Sequence, residues 1–208
     1  MVLAKMQADH WAKKDLNTIQ SYWDSPPANI RRKWFVEQLK RYQFSSVFEI
    51  GYFSGRNLKH ISEAFGDVSL AGLEINKKAV SFAKARLPDA DLLNMDLHDM
   101  YKITNKYDLV FTSGVLIHVP PDDIPNTIMK CLDLSNRYVM HIEHNGHNEV
   151  VAGPKALKPT YKVSDQVQWA PDLISIYRQI GFDVEVLKLP DECKTNGGVE
   201  LIVVDKNK

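Results

Sequence analysis

The stretch Val47-Phe48-Glu49-Ile50-Gly51-Tyr52-Phe53-Ser54-Gly55-Arg56-Asn57-Leu58 concentrates the residues best suited to chemistry. An apolar run ends in a turn bracketed by two glycines and then opens into a helical pattern. Glycine at such a turn permits positive φ and lets the backbone approach a ligand closely. The start of the following helix leaves free amide N–H groups beside it. Two acids, Glu74 and Asp96, fall at matching places further along. Glu74 closes the next apolar run, about twenty residues after the turn, where a carboxylate can accept both hydroxyls of a ribose. Asp96 follows the third run in Asn94-Met95-Asp96-Leu97, where a carboxylate can accept from an adenine amino group. Turn and acids converge on an adenosine ligand.

The histidines form the second set. His141, His144 and His147 surround Glu143 in HIEHNGH. A strand ending in a loop spreads such residues apart, whereas metal binding needs them convergent, so no metal site is read here. Glu143 and Asn145 lie where a substrate should enter, and Tyr161 in the segment 152–168 is a further candidate contact. His118 begins the turn after the fourth run, facing a substrate or packing beneath a ligand. Imidazole titrates near neutrality, so His118, His141 and His144 are the candidate general bases. Trp11, Tyr22, Trp23 and Trp34 either cover the site as a lid, with Trp23 the candidate contact, or glue helices to the sheet. Arg31, Arg32 and Lys33 read as a solvated helix face.

The elements that must position these residues alternate in type. Apolar runs at 46–50, 68–74, 91–95, 107–113, 137–142, 183–187 and 199–205 read as strands. Amphipathic segments at 55–65, 77–87, 122–132 and 170–180 read as helices. Such alternation gives a parallel sheet covered on both faces. The loop 190–198 between the last two strands has no helical pattern, which makes them an antiparallel pair at one edge. Upstream, residues from about 4 to 22 also read as helical. Ser25 can cap another whose first turn holds Pro26 and Pro27 and whose pattern runs Ile30, Trp34, Leu39. Residues 1–43 thus form a helical cap, and 44–208 the main domain.

The 208 residues, 44% hydrophobic and 25% charged, describe one globular domain. Lys+Arg and Asp+Glu both number 26, which offers no whole-chain attraction to nucleic acid. Cys131 and Cys193 match no metal spacing and suggest free thiols in a reducing compartment. With no apolar run long enough for a signal peptide or a span, the expectation is a cytoplasmic protein away from membranes. The oligomeric state is not legible.

On the turn, the two acids and the terminal strand pair, the chain from about residue 44 onward resembles the class I S-adenosylmethionine-dependent methyltransferases. Their first motif runs E-x-G-x-G-x-G. Glu49, Gly51 and Gly55 match it, while Phe53 replaces the central glycine. Its ring either crowds the amino-acid end of the cofactor or turns away as a wall. The resemblance implies an α/β fold, a three-layer Rossmann-like sandwich whose seven-stranded, mostly parallel sheet has an antiparallel last strand. It also implies S-adenosyl-L-methionine as cofactor, S-adenosyl-L-homocysteine as product, and a cofactor site built from named positions. Glu49 orients the loop, and Gly51, Tyr52, Phe53, Ser54, Gly55 and Asn57 line the methionine end. Glu74 and Ile75 hold the ribose, Asp96 and Leu97 read the adenine, and Ser113, Gly114 and His118 complete the site. The segment FTSGVLIHVPPDDIP is similar to the methylases associated with pseudaminic acid biosynthesis. The implied activity is methyl transfer to a small-molecule acceptor such as a sugar or nucleotide-sugar. Two other readings stay open: a non-catalytic cofactor-binding module, motivated by Phe53, and a methyltransferase acting on protein or RNA. A dinucleotide oxidoreductase would want G-x-G-x-x-G, which Phe53 and Arg56 break.

Overall fold

The computed structural model describes residues 2–146, 149–152, 168–193 and 199–208. Three helices come first: α1 (Val2–Ala12), α2 (Leu16–Asp24) and α3 (Pro26–Leu39). The helical stretch expected over about 4–22 is divided in two, because the Asp15 side chain accepts the Thr18 amide and starts α2 afresh. Ser25 makes no capping bond with its side chain. The start of α3 rests instead on Pro26 in the first turn, where its fixed φ suits a helix and its missing N–H costs nothing.

Next come β1 (Ser46–Ile50), α4 (Arg56–Phe65), β2 (Ser69–Glu74), α5 (Lys77–Lys84), β3 (Asp91–Asn94), β4 (Tyr107–Ser113), α6 (Ile124–Leu134) and β5 (Ser135–His144). The chain ends with β6 (Glu149–Ala152), β7 (Gln168–Ala170), α7 (Leu173–Gln179), β8 (Glu185–Lys188) and β9 (Val199–Asp205). Seven strands form one sheet in the order β3-β2-β1-β4-β5-β9-β8. β1 to β5 pair in parallel, and β9 runs antiparallel to both β5 and β8, as the terminal loop implied. The order reverses between β1 and β4, and ligands of open α/β sheets bind at the carboxyl ends beside such a switch point.

Both faces are covered, so the central strands are apolar on both sides. Leu109 and Phe111 of β4 pack with Phe35, Leu39, Leu58 and Ala83 from α3, α4 and α5. Val110 between them packs with Ile128, Cys131 and Tyr177 from α6 and α7. Two features were not legible in the sequence. β6 and β7 pair as a small antiparallel ribbon apart from the main sheet. The helix expected over 170–180 starts only at Leu173, because β7 holds the chain through Ala170 and Asp172 caps the helix by accepting the Ser175 amide.

His141, a candidate general base, lies inside this fold and away from solvent. It is fully buried on β5, with Nδ1 2.8 Å from Thr112 Oγ1 and Nε2 2.6 Å from the Tyr177 hydroxyl. Burial pushes it down to about 3, so the ring is neutral and both nitrogens are engaged. Tyr177→Phe should therefore cost about 1–3 kcal/mol, the penalty for orphaning a buried polar atom. Chemical denaturation measures it; an unchanged midpoint would contradict the role given to this pair.

Candidate active site

A crevice opens over the carboxyl ends of the strands, between the sheet and the N-terminal helices. Its floor is the turn after β1. Gly51 and Gly55 take φ of 70° and 77°, and the Gly51 amide donates to Leu73 O at 2.8 Å, tying the turn to β2. Phe53 sits between them at φ 44°, a left-handed conformation that suits the glycine usual at this place. Its ring packs edge-on against Trp11 and Tyr22, with centroids 5.6 and 5.0 Å away. Phe53 is therefore part of a wall shared with the cap.

Three carboxyls face or flank the turn. Glu74, at the end of β2, is 4% exposed; Oε2 accepts the Phe53 amide at 3.0 Å and Oε1 the Asn76 amide at 2.7 Å. Burial raises it to about 7 against the pull of those two N–H groups. Glu49 accepts from Asn57 Nδ2 at 2.6 Å through Oε1, while Oε2 has no partner among the described residues. Burial lifts it to about 8, opposed by the Asn57 bond and the Arg32 charge. Asp96 accepts both the His98 amide and its ring Nδ1 on Oδ1.

The cap supplies the roof. Trp11 of α1 touches His118 edge-on at 5.0 Å, and Tyr22 and Trp11 are 6.4 Å apart. Trp11 is held from below by Asn76, whose Nδ2 donates to Trp11 O at 2.9 Å and Lys14 O at 3.0 Å. His118 Nδ1 has no partner among the described residues, and burial pushes this imidazole down to about 3. The crevice thus offers buried acceptors at one side for hydroxyl and amino donors, with aromatic faces above. That donor and acceptor set fits an adenosyl group with an amino-acid tail.

Comparison with known proteins agrees with this geometry. Residues 47–137 match the family described as a methyltransferase domain. The dTDP-3-amino-3,4,6-trideoxy-alpha-D-glucopyranose N,N-dimethyltransferase of Streptomyces venezuelae is 35% identical over 66 residues, 32% of this chain. The match spans only 27% of that relative's length. Among solved structures, a complex of DhpI with S-adenosylhomocysteine superposes at a TM-score of 0.68 with 14% identity, covering 97% of this chain and 96% of that one. The sugar N-methyltransferase KedS8 from Streptoalloteichus sp. superposes at 0.66 with 14% identity, covering 92% of each chain. The chain therefore carries a methyltransferase-domain match over residues 47–137 and shares the fold of these methyltransferases.

Of the positions that the methyltransferase resemblance assigned to the cofactor, Glu49, Gly51, Tyr52, Phe53, Ser54, Asn57, Glu74, Ile75, Asp96, Leu97, Ser113, Gly114 and His118 all line the crevice. Gly55 does not; it precedes α4, where an added Cβ would meet Ala83 at 3.0 Å. The residues assigned to the acceptor and to proton transfer fare differently. His141 is in the core, and His144 does not reach the lining. Glu143 is fully buried behind the Gly114–Val115 turn, accepting the Val115 amide at 2.8 Å. Asn145 accepts the Leu173 amide at 3.2 Å and so braces α7. Trp23 stacks on the guanidinium of Arg56 and touches Phe82, outside the crevice. Tyr161 lies outside the described residues.

The reading of Arg31, Arg32 and Lys33 as a solvated face holds for Lys33, which is exposed, and fails for the two arginines. Both are partly buried and line the crevice of this methyltransferase fold. The buried stripe of α3 is Phe35, Val36 and Leu39, whereas Ile30 is 44% exposed. One helical turn before Phe35 and Val36 on that stripe stand Arg31 and Arg32. That spacing was the available signal.

Proposed function

We propose that the chain transfers a methyl group from S-adenosylmethionine to a small-molecule acceptor, with an amino sugar or nucleotide-sugar as the leading class. The observation that carries this reading is the pair of carboxylates at successive strand ends, Glu74 after β2 and Asp96 after β3, opening on one crevice. The names of the relatives, an amino-sugar dimethyltransferase and a sugar N-methyltransferase, support the acceptor class.

The cofactor supplies a methyl group on a sulfonium with a neutral thioether as leaving group. The chain's contribution is placement. Glu74 takes the ribose hydroxyls, Asp96 Oδ2 and the Leu97 amide take the adenine, and the turn from Gly51 takes the amino-acid tail. Trp11, Tyr22 and Phe53 exclude water above the reacting centre, where holding two reactants in line is the larger part of the acceleration. His118, neutral throughout the physiological range, is suited to accept or donate one hydrogen bond to the acceptor. Glu143 positions the Gly114–Val115 turn through the Val115 amide.

Among the described residues no helix is long and apolar enough to cross a membrane. The free thiols of Cys131 and Cys193, both buried, suit the cytoplasm. Incubation with S-adenosylmethionine and a panel of amino sugars and nucleotide-sugars should release S-adenosylhomocysteine with one acceptor class. Calorimetry first establishes binding of S-adenosylhomocysteine; a chain that does not bind it has another function. Binding without turnover across the panel would favour a non-catalytic module.

A further inference from the structure

Strand order gives the crevice a direction. On the cofactor reading above, on which this inference rests, the adenosine lies over β3 and β2 and the amino-acid tail over the turn after β1. β4 and β5 lie on the other side of β1, neighbouring strands being about 4.8 Å apart. A methyl acceptor must therefore approach over the ends of β4 and β5. Arg31 serves that end. It lines the crevice, and the charges it feels are those of Glu143 at the end of β5, Cys193 and Tyr22. It also depresses the pKa of His144, next to Glu143 on β5.

The two arginines of α3 are held in different ways. Arg32 donates to Asn57 Oδ1 at 3.3 Å, Asn29 Oδ1 at 2.9 Å and Tyr22 O at 3.1 Å, which fixes it beside the turn after β1. Arg31 makes no hydrogen bond and no ion pair among the described residues, and only longer-range charges act on it. The main counter-charge it feels is incomplete: Glu143 gives one oxygen to the Val115 amide, and burial raises its carboxyl to about 7. Arg32 is further depressed by the charges of Arg31 and Arg56, and all three guanidiniums line the same crevice. Withdrawing a guanidinium from water without a fixed acceptor is costly unless an anion completes it. Its planar fork matches two anionic oxygens at once.

We propose that Arg31 anchors an anionic oxygen group, a carboxylate or a phosphate, carried by the methyl acceptor. The acceptor then enters over β4 and β5 with its charge against α3 and its nucleophile toward His118 and the end of β1. A neutral sugar lacks this anchor, whereas a uronate or a nucleotide-sugar has it.

The test titrates the protein, saturated with S-adenosylhomocysteine, with acetate and with inorganic phosphate at constant ionic strength, by calorimetry. The expected result is one site for one of the two anions, weakened about tenfold or more in Arg31→Gln, the loss of one charge-assisted contact. Whichever anion binds distinguishes carboxylate from phosphate. Binding of S-adenosylhomocysteine should stay within about threefold of wild type in that variant, less than one such contact is worth. No anion uptake by the wild type, or equal uptake by the variant, overturns the proposal. So does a parallel loss of S-adenosylhomocysteine affinity, which would give the guanidinium to the cofactor's own carboxylate. Failure of the wild type to bind S-adenosylhomocysteine is a separate result that removes the cofactor reading itself.

Discussion

Glu74→Ala is expected to weaken S-adenosylhomocysteine binding by about 100-fold or more while leaving the sheet intact. The carboxylate is buried at the end of β2, and each oxygen already accepts one amide, from Phe53 and from Asn76. A carboxylate has about four acceptor sites, so two remain for the ribose hydroxyls. Hydrogen bonds to a charged group contribute about 1.5–3 kcal/mol each, and two of them account for the expected loss. The Phe53 amide also loses its partner, which loosens the turn after β1. Calorimetry measures the affinity, and denaturation of the variant shows whether it still folds. A folded variant that binds S-adenosylhomocysteine as well as wild type would remove Glu74 from the site.

The same carboxylate makes binding depend on pH in a stated direction. Burial raises Glu74 to about 7, and only the ionised form accepts two hydroxyls. Affinity for S-adenosylhomocysteine should therefore fall as pH drops below 7, by up to about tenfold per unit. Stability of the ligand-free protein should move the opposite way between pH 8 and 6.5. Glu49, Glu74 and Glu143 are all raised above their ordinary 4.5, to about 8, 7 and 7. Their contribution is fully present below 4.5 and is lost as pH rises through those values. His118 and His141, both depressed to about 3, act in reverse: the unfolded chain binds protons first, and stability is lost as pH falls from 6.5 toward 3. Glu74→Gln should remove the pH dependence of binding across 6.5–8; a persistent slope would assign it to another group.

The parts of this site that the sequence made legible are those written locally. An apolar run of five residues, two glycines and a helix start lie within one short stretch, and Glu74 and Asp96 mark the ends of the next two strands. The parts it hid depend on contacts between distant segments. His141 looked like a pocket residue because nothing near it in sequence shows that Tyr177, on a helix 36 residues later, takes its Nε2. Trp23, the candidate substrate contact, follows Tyr22 directly in sequence, yet one residue is about 100° of helix rotation. That rotation puts Tyr22 on the crevice and Trp23 on Arg56. Arg31 and Arg32 were hidden by charge, since buried arginines are rare enough that a basic pair reads as solvent-facing. Phe53 is the instructive case. The residue type departs from the usual glycine, but the backbone keeps φ at 44° and the ring joins Trp11 and Tyr22 in the wall.

Asn76→Asp should release the N-terminal helices from the sheet while leaving α5 capped. Asn76 is fully buried and does two jobs with one side chain. Its Oδ1 accepts the Lys78 and Ala79 amides, which starts α5, and Nδ2 donates to Trp11 O and Lys14 O in the turn between α1 and α2. An aspartate keeps the cap, for which the two residues are nearly equivalent. It replaces the donor with an oxygen facing two carbonyls, losing two buried bonds and adding repulsion, a cost of about 3 kcal/mol to docking of the cap. Opening of that segment should rise by about 100-fold, read as faster tryptic cleavage at Lys13 and Lys14. Trp11 then leaves the roof of the crevice, so affinity for S-adenosylhomocysteine should fall as well. Asn76→Ala loses the cap in addition, and its unfolding midpoint should drop below that of the aspartate variant. Equal cleavage rates in wild type and Asn76→Asp would mean that the aromatic contacts alone hold α1, and the residue beside Glu74 would have no part in closing the site.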